Sequence, residues 1–246
     1  MQRMDVDVTT PDGVCPSIVL APDGDGQWPA VIFFMDAGGV REAMITMAEQ
    51  LAGMGYVVLL PEMYYRNGAY EPFQLATVFT DPDERARLGV LAGGLTKAMA
   101  ASDARAFLEY LSGLPQVAGT KVGTTGYCMG GGLSLTAAAH HPDRIVAAAS
   151  FHGGQLASDA PDSPHRVVGQ ITGRVYVAAA EDDASFPPEQ AASLEAALRD
   201  GGVDYTMETY PALHGFAVPD NPTYDAEAAA RHWRALGDLY GAMLTD

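Results

Sequence analysis

The sequence has few cysteines and few basic residues. Only two cysteines, Cys15 and Cys128, occur among its 246 residues. Two are too few for the disulfide framework that holds small secreted domains together, so we expect free thiols. Lysine and arginine number 14 against 31 aspartates and glutamates, a formal net charge of −17 at pH 7. Such a charge opposes attraction to nucleic acid or to an anionic membrane surface, and we expect no partner of either class.

Long apolar segments and phosphate-binding loops are also missing. The longest apolar runs, such as Tyr56–Leu60, have the length of buried strands and are far too short to span a bilayer. The first residues contain no apolar core of signal-peptide length, so we expect a cytoplasmic protein. There is no Gly-x-Gly-x-x-Gly fingerprint after the first parallel strand and no Walker-type loop, and the histidines show no recurrent ligand spacing. We therefore predict neither a cofactor nor a metal.

Strand-like and helix-like segments alternate from one end of the chain to the other without a linker. We therefore expect one α/β domain over residues 1–246, with a mostly parallel central sheet and helices on both faces. The continuous apolar run Pro29–Met35 is typical of a central strand covered on both sides. Residues 4–8 and 14–20 predict an antiparallel ribbon at the amino terminus. A helical pattern over 83–111 contains Gly93-Gly94, where a break is expected.

The pentapeptide Gly126-Tyr127-Cys128-Met129-Gly130 follows a strand-like run and precedes a small-residue helix start. It is the nucleophile-elbow pattern Gly-x-Nuc-x-Gly with cysteine as the nucleophile. Its glycines allow strand and helix to approach closely at the turn, and the nucleophile then lies at the start of a helix whose amides face it. Alone the pattern is weak, because a buried cysteine between glycines is common.

Two further groups complete a candidate triad downstream. An apolar strand-like run ends in three acids, Glu181, Asp182 and Asp183, and His214 follows a later strand-like segment. All of them fall at the carboxyl ends of predicted strands, the rim where open α/β sheets bind ligands. The chain order nucleophile, acid, histidine is that of α/β-hydrolases. These residues alone leave the choice among the three acids open.

These motifs resemble those of the dienelactone hydrolase family. The matching residues are the elbow and following glycine at 126–131, the Asp-x-x-Phe-Pro loop at 183–187 and the His-Gly-Phe segment at 214–216. The resemblance extends over nearly the whole chain, and cysteine in the elbow is fairly specific for this family. It implies an α/β-hydrolase fold and a carboxylic ester hydrolase, a carboxymethylenebutenolidase or a related esterase or lactonase.

The resemblance also implies roles for the triad residues. Cys128 would be the nucleophile, His214 the general base and acid, and Asp183, favoured by the family spacing, the orienting acid. The expected reaction is hydrolysis of a small ester or lactone through an acyl-enzyme. Two alternatives remain open: an acyl or thioester transferase with the same triad, and a catalytically silent protein that binds a small molecule on this fold.

Two backbone amides and one carboxylate are expected around the nucleophile. The amides of Met129, just after the nucleophile, and of Ala37, after an earlier strand, are the expected oxyanion-hole donors. Asp36 stands where the family has a glutamate that contacts the resting cysteine, and we expect it to tune the thiol. An aspartate held by local turn amides is an equally good interpretation.

The substrate side of the site departs from the family. The family holds a substrate carboxylate with two arginines; Arg85 matches one of them, with Arg87 next. The other follows the triad histidine, and residues 215–218 contain no arginine. This difference points to an ester or lactone other than dienelactone. Arg66 could substitute, although an arginine in a tyrosine-rich loop is more often solvated or stacked.

Three other residues near the predicted rim are candidates for substrate binding. They are Tyr127, beside the nucleophile, Tyr64, in the long loop after the fourth strand, and His152, at the end of a strand. A hydrogen-bonded structural histidine is an alternative for His152. The sequence does not decide between a monomer and a homodimer.

Overall fold

The computed structural model describes residues 1–244. Its strands and helices follow the predicted alternation, with three short 3-10 turns in the loops. The strands are β1 (Gln2–Thr10), β2 (Gly13–Ala21), β3 (Trp28–Phe34), β4 (Val57–Pro61), β5 (Val117–Tyr127), β6 (Ile145–Phe151), β7 (Arg174–Ala180) and β8 (Asp204–Tyr210). The helices are α1 (Glu42–Gly53), α2 (Pro82–Gly93), α3 (Lys97–Ser112), α4 (Met129–His140), α5 (Pro188–Asp200) and α6 (Ala226–Met243).

All eight strands form one mixed sheet in the order β1-β2-β4-β3-β5-β6-β7-β8. Strands β3 to β8 run parallel to their neighbours. The β1–β2 ribbon is antiparallel and joins the sheet through an antiparallel pairing of β2 with β4. This confirms the predicted α/β fold with a mostly parallel sheet and the predicted ribbon at its edge.

Helices cover both faces of the sheet, and two glycines of β5 show how closely they pack. A Cβ atom added to Gly123 would lie 2.8 Å from the Tyr240 ring of α6, and one added to Gly126 would collide with the Gly130 carbonyl of α4. Residues three apart in a strand point to opposite faces, so α6 and α4 lie on opposite sides. Consistent with burial on both faces, residues 30–34 of β3 are fully buried.

The expected break in the long helical pattern separates α2 from α3. The first helix ends at Gly93, and Thr96 caps the second by accepting a hydrogen bond from the Met99 amide at 3.2 Å. A threonine at this position competes with helix continuation and favours a new start. Within residues 1–244, no helix is both long enough and apolar enough to cross a bilayer.

Candidate active site

Cys128 lies on a strained turn between β5 and α4. Its φ of 52° and ψ of −117° are uncommon for a residue with a side chain. The close approach of backbone around it requires glycine: a Cβ atom on Gly126 would collide with the Gly130 carbonyl, and one on Gly130 would lie 2.5 Å from the Phe34 carbonyl. The turn presses the end of β3, β5 and α4 together and leaves Cys128 a half-buried free thiol.

The carboxylate that meets His214 is that of Asp183. The distance from His214 Nδ1 to Asp183 Oδ2 is 2.7 Å, and the Asp183 side chain is almost fully buried. Its two acidic neighbours, Glu181 and Asp182, are exposed. The structure therefore brings together the histidine and the acid that the family spacing favoured.

Ser185 is a further partner of this pair that the sequence analysis did not single out. Its hydroxyl donates to Asp183 Oδ1 at 2.6 Å and its amide donates to the same oxygen at 2.8 Å. The hydroxyl also lies 3.1 Å from His214 Nδ1. The signal for this role was an aspartate followed two residues later by serine, the spacing of a local Asx-type turn.

Cys128 is the other neighbour that acts on His214, so the histidine lies between the thiol and the acid. Burial alone would lower the pKa of His214, but the interactions with Cys128 and Asp183 raise it to about 10. Burial would raise the pKa of Asp183, yet its bonds with His214 and Ser185 hold it below the usual 3.8. Both shifts favour an imidazolium beside a carboxylate.

The peptide between Ala37 and Gly38 is held from both sides. Tyr64 donates its hydroxyl to the Ala37 carbonyl at 3.1 Å, and Asp36 Oδ1 accepts the Gly38 amide at 2.8 Å. The Tyr64 hydroxyl also lies 3.5 Å from Met129 Sδ, so it touches both expected oxyanion-hole residues. Because the Tyr64 side chain is fully buried, it supports these residues from behind instead of lining an open pocket, which corrects its expected place.

The backbone amides of the two expected oxyanion-hole residues, Met129 and Ala37, are not taken up by the secondary structure. Met129 is the first residue of α4, and the first amides of a helix have no partner within it. Ala37 lies just beyond the end of β3, and within residues 1–244 its amide has no hydrogen-bond partner. The elbow brings these segments together, since Gly130 packs on the backbone of Phe34.

Asp36 is engaged by an arginine that the sequence analysis missed. Arg41 Nη1 lies 2.7 Å from Asp36 Oδ1 and Arg41 Nη2 lies 3.0 Å from Asp36 Oδ2. The same guanidinium holds Asp220 through bonds of 2.7 and 2.8 Å. The carboxylate of Asp36 is thus directed to Arg41 and the Gly38 amide. Nothing in the local sequence signals the pairing with Asp220, which lies 179 positions away.

His152 is a buried imidazole beside the triad. Its ring meets that of His214 at a centroid distance of 5.2 Å and that of Phe216 at 4.9 Å. Among the described residues, neither of its ring nitrogens has a hydrogen-bond partner. The described residues therefore supply no hydrogen bond of the kind that the alternative of a structural histidine requires. Burial, with the nearby charge of His214, lowers the pKa of His152 well below its usual range.

Tyr127 does not line the rim. Its side chain is fully buried and its hydroxyl lies 2.8 Å from His232 Nε2. Its ring packs against Phe33 and Phe151. As the residue before the nucleophile, Tyr127 ends β5, and its side chain is directed into the core. This corrects the expectation that it would contact substrate.

The candidate arginines differ in the groups that their guanidiniums already contact. Arg85 is exposed on α2 and within residues 1–244 its side chain forms no ion pair. Arg87 stacks on Phe73 at 3.9 Å and is bonded to nearby groups of the same region. Arg66 is bonded to the fully buried Asp103 at 2.8 and 2.9 Å and is therefore a structural residue. Across residues 1–244, no cluster of three or more histidine, cysteine or acidic side chains could hold a metal ion.

Comparison with known proteins identifies the family. The model of the dienelactone hydrolase family matches residues 16–244. The chain belongs to the dienelactone hydrolase family. It is accordingly a carboxylic ester hydrolase of the dienelactone hydrolase type, as the resemblance implied. The family match covers the elbow, the acid loop and the histidine loop.

Named relatives and solved structures agree with this assignment. A protein of Synechocystis sp. named "Putative carboxymethylenebutenolidase" is 29% identical over 232 residues, which cover 91% of this chain and 89% of the relative. A dienelactone hydrolase-like promiscuous phosphotriesterase from metagenomic libraries is 26% identical, with a TM-score of 0.76 over 99% of both chains. A dienelactone hydrolase from Anabaena variabilis shares the fold, with a TM-score of 0.69 at 18% identity over 98% of both chains.

Proposed function

We propose that this protein hydrolyses a small ester or lactone by covalent catalysis with Cys128, His214 and Asp183. The observation that carries the proposal is the position of His214, which interacts with Cys128 and lies 2.7 Å from Asp183. A thiol beside an imidazole, with a buried carboxylate on the far side of the imidazole, is the arrangement of an activated nucleophile.

The first half of the reaction forms a thioester. With the proton of the Cys128 thiol held on His214 as an imidazolium, the Cys128 sulfur attacks the substrate carbonyl carbon, and the carbonyl oxygen becomes an oxyanion that the amides of Met129 and Ala37 stabilise. When the intermediate collapses, the bond to the alkoxy oxygen breaks and the imidazolium of His214 gives that oxygen its proton. Asp183 keeps the imidazole in the orientation that both transfers need.

The second half returns the enzyme to its starting state. His214 takes a proton from water, the water oxygen attacks the thioester carbon, and the carbon–sulfur bond breaks to release the acid. The same two amides stabilise the second oxyanion; each such donor contributes about 2.7–4 kcal/mol to the transition state. Asp36 would influence the thiol through its charge, since its own hydrogen bonds are directed to Arg41 and Gly38.

Arg85 is the proposed anchor for a substrate carboxylate. Its guanidinium is exposed and without an ion-pair partner within residues 1–244, and a guanidinium can hold a carboxylate through two parallel bonds. His152, whose ring nitrogens are buried, is proposed to act on the substrate through His214, against whose ring it packs. If Arg85 has this role, Arg85→Met will raise KM for carboxylate-bearing substrates and leave neutral substrates unaffected.

A panel of aryl esters and lactones, with and without a free carboxylate, tests the proposal. Cys128→Ala should lose at least about a thousandfold in kcat, whereas Cys15→Ala, which removes the buried thiol of β2, should retain wild-type rates. Activity that persists in Cys128→Ala would refute the nucleophile. Transfer of the acyl group to an added alcohol or thiol would favour the transferase. A ligand that raises Tm while no substrate is turned over would favour the binding protein.

The panel should also contain an aryl phosphotriester. The solved relative named as a promiscuous phosphotriesterase is 26% identical to this chain, so this substrate class tests whether the thiol accepts a phosphorus centre. Hydrolysis of the phosphotriester without hydrolysis of any carboxylic ester would overturn the proposed substrate class and leave the nucleophile intact.

A further inference from the structure

Arg41 joins the two loops that carry the oxyanion residue and the triad histidine. It is the residue just before α1, and its guanidinium forms paired bonds with Asp36 on one side and Asp220 on the other. It also donates to the Gly39 carbonyl at 3.1 Å. The reaction steps described above make no use of this guanidinium. We refer to Asp36, Arg41 and Asp220 as the arginine bridge.

The first arm of the bridge fixes the loop after β3. Both oxygens of Asp36 bond to Arg41, and one of them also accepts the Gly38 amide. The carboxylate therefore cannot turn without releasing Arg41 or the Gly38 amide. Since Ala37 lies between Asp36 and Gly38, this arm sets the direction of the backbone that carries the proposed oxyanion donor.

The second arm reaches the loop after His214. Asp220 is six residues beyond the histidine, in a loop that local bonds hold on both sides of it. The Val218 amide donates to the Gly215 carbonyl at 3.0 Å, and the Thr223 hydroxyl donates to the His214 carbonyl at 2.5 Å. Asp220 lies between Val218 and Thr223, so this arm holds the segment that is bonded back to the His214 backbone.

Burial distinguishes the bridge from an ordinary surface ion pair. The side chain of Arg41 is 8% exposed and that of Asp36 is 3% exposed, whereas Asp220 is 40% exposed. Exposed pairs contribute little to stability because water and salt screen them. Buried pairs often fail to repay their desolvation, and fixing geometry is one attested reason to keep them. The bonds to the planar guanidinium constrain direction as well as distance.

We propose that Arg41 is a positioning residue that fixes the position of the proposed oxyanion donor, the Ala37 amide, relative to His214. The inference rests on the proposed hydrolysis and adds a residue to its machinery. The bridge acts on the geometry of the transition state, because small displacements of a catalytic group reduce rate strongly. It leaves the intrinsic reactivity of the thiol toward reagents that need no oxyanion hole unchanged.

Two variants and one matched control test the bridge. Asp220→Asn removes one charged arm while keeping side-chain shape, and Arg41→Lys keeps the charge but loses the paired bonds. Asp204→Asn is the control, because it weakens an exposed ion pair away from the bridge, with Arg174 Nε 2.8 Å from Asp204 Oδ2, on the edge strand β8. For each protein we would measure ester hydrolysis, alkylation of Cys128 by iodoacetamide and amide hydrogen exchange of residues 36–40.

Asp220→Asn and Arg41→Lys should reduce kcat for ester hydrolysis by about tenfold, a fraction of the effect of losing an oxyanion donor. Alkylation, which forms no oxyanion, should stay within about twofold of wild type, and exchange of residues 36–40 should accelerate. The control should match wild type in all three measurements. Unchanged kcat in both variants, or an equal fall in hydrolysis and alkylation, would overturn the positioning role.

Failure of the proposed function would be recognised separately. If the wild type hydrolyses no ester although iodoacetamide still alkylates Cys128, the proposed function fails, and with it the effect of the bridge on hydrolysis. Hydrogen exchange then still tests the bridge itself. Unchanged protection of residues 36–40 in Arg41→Lys and Asp220→Asn would overturn the link between the two loops, and faster exchange would support it.

Discussion

The imidazole rings of His152 and His214 meet edge to face, with their centroids 5.2 Å apart. Their charge states are driven in opposite directions. Burial would lower the pKa of His214, but Cys128 and Asp183 raise it to about 10. Burial lowers the pKa of His152, and the nearby charge of His214 lowers it further. The shifts favour a charged His214 and a neutral His152, so His152 does not compete with His214 for the proton.

His152→Phe should stabilise the protein and reduce its activity. Phenylalanine keeps a planar ring against Phe216 and removes two buried nitrogens that lack partners among residues 1–244. An unsatisfied buried polar group costs about 1–3 kcal/mol, so the free energy of unfolding should rise by about 1 kcal/mol in denaturant titrations. Hydrolysis should slow, since the ring that packs against His214 loses its imidazole shape and polarity.

The matched control is His232→Phe. His232 is equally buried, but its ring nitrogens bond to the Tyr127 hydroxyl at 2.8 Å and the Ala229 carbonyl at 3.0 Å. Its loss should lower the free energy of unfolding by about 1–3 kcal/mol, because the tyrosine hydroxyl is left without a partner. Equal destabilisation by both variants would show that the ring nitrogens of His152 have hydrogen-bond partners in the folded protein.

Cys128→Ala should lower the pKa of His214. The thiolate charge is the largest of the effects that raise this pKa, and its removal leaves Asp183 alone to oppose burial. Titration of the imidazole signals by NMR would detect the change. Cys15→Ala, which removes the other thiol, should leave the pKa of His214 unaltered; a similar pKa in wild type and Cys128→Ala would contradict the thiolate–imidazolium pair.

The same pair makes a pH-dependent contribution to stability. A group whose pKa rises on folding binds its proton more tightly in the native state. The contribution of His214 is therefore fully present below its unfolded pKa of 6.5 and is lost as pH rises through about 10. In Cys128→Ala the pKa of His214 in the folded state should be lower, so the pH range over which this stability is lost should be narrower. Denaturant midpoints between pH 7 and 10 should therefore depend less on pH than those of wild type.

The members of the proposed triad could be singled out from sequence because each of them follows a strand end. Glycine spacing marked Cys128 at the end of β5, and family spacing selected Asp183 over its acidic neighbours. The remainder depended on long-range packing: Arg41 meets an aspartate 179 positions away. Tyr127 was misplaced because adjacency to a nucleophile in sequence does not reveal the direction of a side chain, which alternates along the strand.

Ser185→Ala should weaken the acid of the triad. The Ser185 hydroxyl donates to Asp183 Oδ1 at 2.6 Å and helps hold the pKa of that carboxyl below 3.8 against burial. Without this bond the pKa should rise. A carboxyl with a depressed pKa adds stability that is present above its unfolded pKa and lost as pH falls, so acid unfolding should begin at a higher pH.

At neutral pH the free energy of unfolding of Ser185→Ala should fall by about 1.5 kcal/mol, the usual contribution of a hydrogen bond to a charged group. Ser193→Ala is the control. Its hydroxyl donates to the Glu189 carbonyl at 2.8 Å on the exposed side of α5. An acid-unfolding midpoint that moves equally in both variants would argue against a specific effect on Asp183.

Gly130→Ala should be strongly destabilising although it introduces a better helix former. Alanine is favoured over glycine in helices by about 1 kcal/mol, but here its Cβ atom would lie 2.5 Å from the Phe34 carbonyl oxygen. Backbone cannot yield as a flexible side chain can, so β3 and α4 must separate. We expect the free energy of unfolding to fall by about 3 kcal/mol, with loss of hydrolysis because the elbow opens. Gly132→Ala, two residues along the same helix, is the control: its Cβ atom would lie 3.4 Å from side-chain atoms of Lys97 and Pro164 and 3.7 Å from Leu156. Helix propensity should therefore leave its stability equal to or above that of wild type. If both variants changed stability alike in denaturant titrations, the close approach at the elbow would not be the reason that glycine is required at position 130.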